Sequence, residues 1–243
     1  MITGVRQMRV PHAVLPLLLI AAVTAACSSA PDKGEAHRQR TSAPAAPDLA
    51  AKYAAGRSEP VADTVYPELG HPAVDVLHYD LALTWSPPKK ELAGTATLAV
   101  RAAADTDNVT LDFSKRLTVD GVTVDGKPTT AQRQSDQLII PSGRRMAKDV
   151  TAEVVIRYHG KPEQASFDAV RPDSRHLGFT AHKDGSAVAL QEPYGAFTWY
   201  PSNDQPSDKA LYDVAITVPK GWAGVSSGTF QGKVSQGDTT VYR

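Results

Sequence analysis

Alternation of large apolar residues with small or polar ones is the feature that most constrains this chain. Between residues 77 and 85 every odd-numbered position is large and apolar: Leu77, Tyr79, Leu81, Leu83 and Trp85. Residues 150–158 alternate as cleanly, and residues 93–100 do so more weakly. Successive side chains of a strand point to opposite faces of the sheet, so a period of two predicts strands with one buried and one wet face.

Turn signals separate these runs. The pairs Asp120-Gly121, Asp125-Gly126 and Asp184-Gly185 supply residues that tolerate a positive φ. No segment of a dozen residues after residue 63 has a helical period, and residues 64–243 are enough for one substantial core. The sequence therefore predicts an all-β domain over residues 64–243, an antiparallel multi-sheet β-sandwich or saddle-like fold. Further strands are predicted at residues 209–218 and 224–230.

The first 27 residues have the order of a lipoprotein signal segment. Arg6 and Arg9 precede an apolar run at residues 13–23, and small residues then lead to Cys27. The run is too short to span a bilayer as a mature helix. We expect lipidation of Cys27, which would make the protein exported and lipid-anchored to the bacterial cell envelope. An ordinary signal peptide with a chance cysteine is the alternative.

Residues 28–63 are rich in Ala, Pro and Ser and contain almost no large apolar side chains. Such a stretch cannot bury enough surface to offset the entropy lost on ordering. We predict a disordered tether between the anchor and the folded domain. A short helix near residues 46–55 would have no face to pack.

The charges of the chain balance, with 26 basic and 26 acidic residues. Binding of nucleic acid depends on clustered Lys and Arg side chains that neutralise phosphates. Nucleic acid is therefore excluded as a partner, and a membrane, through the lipid anchor, is expected as one.

Residues 190–210 carry the strongest functional signal. The segment contains, in order, an acidic residue before a proline, an aromatic-proline pair, an Asp-x-Pro and a lysine. The corresponding runs are Leu190-Gln191-Glu192-Pro193, Trp199-Tyr200-Pro201, Ser202-Asn203-Asp204-Gln205-Pro206 and Lys209-Ala210. This order resembles the N-terminal domain of the aminopeptidase N-like zinc metallopeptidases, the gluzincins. The resemblance extends over residues 79–230, through an opening strand at residues 79–83 and the segment 221–228.

The resemblance implies that Glu192 points into an active site and binds the free α-amino group of a peptide substrate. A carboxylate accepts charge-assisted hydrogen bonds from an ammonium group, and these are among the stronger ones. Gln191 lies one place later than the family's usual amide and is a second substrate-binding candidate. Without the resemblance, Glu192 would be interpreted as a solvated loop residue.

The zinc site of that family is absent from this sequence. It needs H-E-x-x-H on a helix and a further glutamate downstream, and no histidine pair of the chain has this spacing. We expect zinc in the complete family enzyme, and in this chain alone neither metal ligands, catalytic residues nor hydrolysis. A G-x-S-x-G run at residues 224–228 has no histidine after it, which argues against a serine nucleophile.

Residues 239–242 have the pattern of a strand that ends in mid-course. We expect a domain that is incomplete at this end and is truncated before a catalytic domain. The alternative is a non-catalytic β-sandwich lipoprotein that binds peptides or partners at the envelope. An H-E-x-x-H encoded beyond the Arg243 codon would support the enzyme, whereas a stop codon would support the binding protein.

Overall fold

The computed structural model describes residues 48–166 and 176–243. Its strands in chain order are β1 (Val74–Ser86), β2 (Glu91–Ala102), β3 (Thr106–Asp112), β4 (Leu117–Val124), β5 (Lys127–Thr129), β6 (Gln132–Gln134), β7 (Gln137–Met146), β8 (Thr151–Gly160), β9 (Ala165–Ser166), β10 (His176–Ala181), β11 (Ala187–Leu190), β12 (Leu211–Pro219), β13 (Lys233–Gln236) and β14 (Thr239–Tyr242). Within the described residues, helical structure is limited to α1 (Leu49–Lys52) and the 3₁₀ turns Ala54–Gly56 and Ala196–Thr198.

The main sheet has eight strands in the order β13-β14-β12-β1-β2-β8-β4-β5. Two three-stranded sheets, β3-β7-β6 and β11-β10-β9, complete the described architecture. The predicted all-β, multi-sheet fold is confirmed. One pair, β1 with β12, is parallel and departs from the predicted antiparallel arrangement. A parallel pair needs a long connection, which β2 to β11 provide, and alternation alone does not reveal strand direction.

Most of the predicted strands are present. The runs at residues 77–85, 93–100 and 150–158 lie inside β1, β2 and β8. Asp125-Gly126 forms the predicted turn between β4 and β5, with φ of 49° and 74°. The prediction was wrong for Gly121, which lies at a register shift within β4, and for residues 224–230, which form no strand.

One hydrophobic cluster joins the main sheet to the β3-β7-β6 sheet. Leu81 and Leu98 of the main sheet are fully buried, as are Leu111 of β3 and Ile140 of β7. Their alternation along each strand explains why the period of two predicted this core. The second small sheet, which precedes the candidate site, contributes Phe179 to the same cluster.

Residues 48–61, which we call the N-terminal strap, pack on the main sheet. The Tyr53 ring stacks on His78 of β1 with 4.2 Å between the ring centroids. Gly56 lies so close to β1 that a Cβ there would be 2.0 Å from the carbonyl oxygen of Leu77. The strap is therefore part of the folded domain.

Arg101 of β2 holds the strap in place through buried hydrogen bonds. Its side chain is 1% exposed, and its Nε donates to the fully buried Asp75 carboxylate at 2.7 Å. Ser58 of the strap joins the pair, because its carbonyl oxygen accepts from Arg101 and its hydroxyl donates to Asp75 at 2.8 Å. Asp149 accepts from Arg101 Nη1 at 2.7 Å. Two buried charges need such complete hydrogen bonding to offset their lost hydration.

These contacts correct the predicted disordered tether over residues 28–63. Within its described part, residues 48–61 are folded, so the domain begins before residue 64. The strap is held by a glycine, a stacked ring and polar side chains, so its few large apolar residues did not reveal it. Residues 28–47 of the tether, the signal segment and Cys27 lie outside the described residues.

Candidate functional site

Glu192 and Gln191, the two predicted substrate-binding residues, directly follow β11. They begin the segment 191–199, which we call the site loop, and both side chains are exposed. The Glu192–Pro193 peptide bond is cis. Within residues 48–166 and 176–243 the Glu192 carboxylate forms no hydrogen bond or ion pair. Its oxygens are therefore open to a ligand.

The Gln191 side chain forms a hydrogen bond within the site loop. Its Oε1 accepts a hydrogen bond from the Trp199 indole Nε1–H at 3.0 Å. The contact joins the first residue of the loop to the last one and uses the amide oxygen of Gln191. Binding of a peptide by Gln191 stays a prediction.

A shallow cleft of about 410 Å³ lies beside Glu192. Its lining contains three carboxyl groups, those of Glu192, Asp204 and Asp208, and no basic side chain. The other lining residues are polar, aromatic or small: Gln191, Pro193, Ala196, Tyr200, Ser202, Asn203, Gln205, Pro206 and Tyr212. The lining therefore favours a cationic group over an anionic one.

Tyr200 and Tyr212 form the aromatic wall of this cleft, and the buried Tyr79 packs against both of them. The Tyr79 ring stacks on Tyr212 at 4.9 Å between centroids and meets Tyr200 edge-on at 5.5 Å. The hydroxyls of Tyr200 and Tyr212 are 3.3 Å apart. Burial raises the pKa of Tyr79 and that of Tyr200, so both hydroxyls stay neutral. Neutral hydroxyls and ring faces beside a carboxylate suit the binding of an ammonium group.

Asp204 holds the site loop from the interior side. Its side chain is 9% exposed, and its Oδ2 accepts hydrogen bonds from the Gly195 N–H at 2.9 Å and the Phe197 N–H at 3.2 Å. The Thr198 hydroxyl donates to the Gly195 carbonyl oxygen at 2.6 Å and accepts from the Phe179 N–H at 2.9 Å. The loop is thus fixed both to Asp204 and to β10.

Asp112, at the end of β3, holds Asp204 in turn. Its Oδ2 accepts from the Gly70 N–H at 2.7 Å and from the Asp204 N–H at 2.9 Å. Its backbone exchanges two hydrogen bonds with Ser202, of 2.7 and 3.0 Å. Asp112 could not be predicted from the sequence, because nothing marks one acidic residue at a strand end whose partners lie 42 and 92 positions away.

Asn203 and Asp208 connect this region to β1 and the strap. Asn203 Oδ1 accepts from the His71 N–H at 2.6 Å, and its Nδ2 donates to the Val74 carbonyl oxygen at 2.8 Å. The same Nδ2 donates to Asp208 at 2.6 Å, and the Ser58 hydroxyl oxygen lies 3.2 Å from the Asp208 carboxyl oxygen. Asn203 and Asp208 therefore connect the strap and β1 to the cleft through hydrogen bonds.

The carboxyls of Asp112, Asp204 and Asp208 make the stability of the fold depend on pH. Burial raises the pKa of Asp112 and of Asp208 to about 7, and that of Asp204 to about 6, from an ordinary 3.8. A raised folded-state pKa means tighter proton binding in the folded state, so this stabilisation is complete below about pH 4 and is lost as the pH rises through about 6 to 7. We expect the free energy of unfolding to fall between pH 5 and pH 8.

Urea unfolding of the chain and of Asp112→Asn at pH 5, 6.5 and 8 measures this effect. The variant should lose less stability over this range, by at least about 1.4 kcal/mol, which is the value of a tenfold difference in proton affinity. Parallel stability profiles for the two proteins would contradict the assignment to Asp112. Histidine titration is common to both proteins and cancels in the comparison.

Neither a metal site nor a membrane-spanning helix is found in the described part of the chain. No three His, Cys, Asp or Glu side chains of residues 48–166 and 176–243 are grouped so that they could hold a metal ion. In the same residues, no helix has the length and apolar character needed to cross a membrane.

Comparison with known proteins identifies similar domains. Residues 75–242 match the family described as Peptidase M1 N-terminal domain. A mutant M1 zinc metallopeptidase from Deinococcus radiodurans, bound to a Tyr-Ser-Ala substrate, is 28% identical with a TM-score of 0.67 over 74% of this chain and 40% of that chain. No curated protein sequence matches the chain.

Two further structures are of mutant two-domain M1 zinc metallopeptidases. One is bound to L-tryptophan, with 27% identity and a TM-score of 0.67 over 74% of this chain and 41% of that chain. The other is bound to L-arginine, with 28% identity and a TM-score of 0.68 over 74% of this chain and 40% of that chain. The chain thus spans about 40% of the length of these relatives.

Proposed function

The chain belongs to the M1 metallopeptidase family, whose N-terminal domain it carries, and on this premise we propose that it is the substrate-side domain of an exported zinc metallo-aminopeptidase. In this proposal Glu192 binds the free α-amino group of a peptide, and the enzyme removes N-terminal residues. The observation that carries the proposal is the exposed Glu192 carboxylate, which has no partner among the described residues and lies at the rim of an acidic, tyrosine-lined cleft.

The chemistry of this cleft supports an ammonium ligand. An ammonium group presents three donors and a full charge, so it needs acceptors of opposite charge more than it needs apolar contact. The Glu192 carboxylate has no partner among the described residues, so it would lose no existing contact when it binds an ammonium group. Tyr212, which lines the same cleft as Glu192, is 49% exposed. A bound peptide with a blocked N-terminus would bury the Glu192 carboxylate without giving it a cationic partner.

Zinc does not fit the described residues, because none of them form a ligand set. The M1 relatives are zinc metallopeptidases, and hydrolysis of the peptide bond requires the metal site of such an enzyme. The part proposed for this chain is therefore substrate binding and orientation.

Glu192→Ala in the full-length enzyme tests the proposal. Hydrogen bonds to a charged group are worth roughly 1.5–3 kcal/mol, so kcat/KM for a substrate with a free N-terminus should fall about tenfold to somewhat over a hundredfold. Glu153→Ala, which removes an exposed carboxylate of β8, is the matched control and should leave kcat/KM unchanged.

An N-acetylated substrate separates binding of the amine from other roles of Glu192. It has no ammonium group, so it should be cleaved poorly from the start and be affected much less by Glu192→Ala. Equal proportional losses on both substrates would mean that Glu192 supports the fold or the metal site. Unchanged activity of Glu192→Ala on the substrate with a free N-terminus would mean that Glu192 is a solvated loop residue.

Export and anchoring belong to the same proposal. The basic, apolar and small-residue series that ends at Cys27 supports a lipidated thiol, and anchoring by more than one acyl chain is stable where a single chain is marginal. We expect the protein in the membrane fraction of its host and expect Cys27→Ala to move it to the soluble envelope fraction. Retention of Cys27→Ala in the membrane fraction would contradict the lipid anchor.

A further inference from the structure

We propose that Asp204 is a positioning residue for Glu192: its carboxylate ties down the site loop at Gly195 and Phe197 and so places the Glu192 carboxylate at the cleft. The inference rests on the proposed function of Glu192 and deepens it, because it names the group that sets where the ammonium group is bound. Asp204 itself contacts no substrate in this proposal.

Glu192 depends on its backbone for its position. Its side chain forms no hydrogen bond or ion pair within the described residues, so no partner side chain orients it. Two residues along the chain, Tyr194 is 1% exposed and belongs to a small core cluster with Leu177 and Phe197. The next residue, Gly195, donates its N–H to Asp204 at 2.9 Å. The anchor is thus three residues from Glu192.

One carboxyl oxygen of Asp204 accepts hydrogen bonds from two N–H groups of the site loop. Oδ2 accepts from Gly195 and from Phe197, at 2.9 and 3.2 Å. The loop packs so closely on β10 that a Cβ at Gly195 would be 2.6 Å from the Gly178 nitrogen. This packing keeps water from the two N–H groups, and buried donors without an acceptor are costly. Without Asp204 the loop must open to hydrate them, and Glu192 moves with it.

Asp204 is itself held by the fold. The N–H of Asp204 is bound by Asp112, whose carboxylate also holds Gly70. Asp112 is 2% exposed and Asp204 is 9% exposed. Because Asp204 is fixed to β3 through Asp112, it cannot follow a displaced loop. The two buried carboxylates therefore connect the rigid β3 to the exposed site loop.

A double-mutant cycle in the full-length enzyme tests whether Asp204 acts through Glu192. Asp204→Ala should lower kcat/KM for a free-amine substrate about tenfold, mainly by raising KM, because binding of the amine is what it disturbs. In the Glu192→Ala background the same change should have no further effect. Asp204→Asn should retain most activity, because its single carbonyl oxygen can accept from both N–H groups.

Asp105→Ala is the matched control. Asp105 is also a carboxylate that holds a loop backbone, accepting from the Lys148 N–H at 2.9 Å, and its partners Lys148 and Arg145 form no hydrogen bond with the site loop among the described residues. It should leave kcat/KM unchanged in both backgrounds. An equal loss from Asp204→Ala with and without Glu192 would overturn the proposal, and so would an Asp204→Asn enzyme as impaired as Asp204→Ala.

Amide hydrogen exchange of the chain itself separates this proposal from the proposed function. Asp204→Ala should speed exchange in residues 191–199 at least about tenfold relative to wild type, while Asp204→Asn and Asp105→Ala leave these residues protected. Unchanged exchange in Asp204→Ala would overturn the positioning role whatever the kinetics show. Faster exchange combined with a fully active Glu192→Ala enzyme would preserve Asp204 as the anchor of the loop and refute the role of Glu192.

Discussion

Replacing Arg101 by alanine should lower the free energy of unfolding by about 3–5 kcal/mol, the usual result of removing one partner from a buried ion pair. Asp75 is fully buried, and Arg101 is its cationic partner at 2.7 Å. Without the guanidinium, the hydrogen bonds from Ser58 are the only ones that the carboxylate keeps among the described residues. The same change removes the donor to the Ser58 carbonyl oxygen, so the N-terminal strap should also loosen.

Urea unfolding measures the stability loss, and limited proteolysis followed by mass spectrometry measures release of the strap. Arg101→Ala should be cleaved within residues 48–61 under conditions that leave the wild type intact. Arg144→Ala is the control: Arg144 pairs with Asp125 at 2.9 Å, but both side chains are over 40% exposed, at 45% and 42%. Exposed pairs are worth about 0–1 kcal/mol. An equally small loss in Arg101→Ala would show that the strap does not depend on this pair.

Gly195→Ala should cost roughly 2–6 kcal/mol, because two penalties combine at this residue. Its φ of 123° is a conformation that side chains rarely adopt, and such backbone strain costs about 1–3 kcal/mol. The added Cβ would lie 2.6 Å from the nitrogen and 2.9 Å from the Cα of Gly178. Both are backbone atoms of β10 that cannot turn aside, and overpacking adds about 1–3 kcal/mol.

Gly126→Ala provides the comparison that isolates the packing penalty. Gly126 also has a positive φ, of 74°, but an added Cβ would have nothing within 4 Å. It should cost only about 1–2 kcal/mol, through the left-handed backbone alone. Both variants are measured by urea unfolding with the wild type. Equal losses at the two glycines would mean that the site loop yields easily at β10, which would contradict the close packing described above.

The strands of this protein could be predicted from local pattern. Alternation at residues 77–85 and 150–158 reveals β1 and β8 because a strand in a packed sheet must bury every second side chain. Asp125-Gly126 likewise reveals its turn, since both residues tolerate positive φ. The segment 190–210 revealed the family, and residues 75–242 match its N-terminal domain.

Local pattern failed wherever a residue's role depends on partners far along the chain. The strap was predicted as a tether because its residues are small or polar, yet Ser58 is paired with Asp75 and Arg101, 17 and 43 positions away. The parallel pairing of β1 with β12 was missed for the same reason, since alternation is identical in both strand directions.

The sequence by itself determined the all-β class, most strand positions and the family, because side-chain alternation, turn chemistry and the ordered motif at residues 190–210 are all local properties. Only the tertiary structure decided what Asp112, Asp204 and Arg101 do. A charged side chain looks the same in sequence whether it is solvated or buried. Burial makes it an anchor, because a desolvated charge must be satisfied by whichever donors and acceptors the fold brings to it.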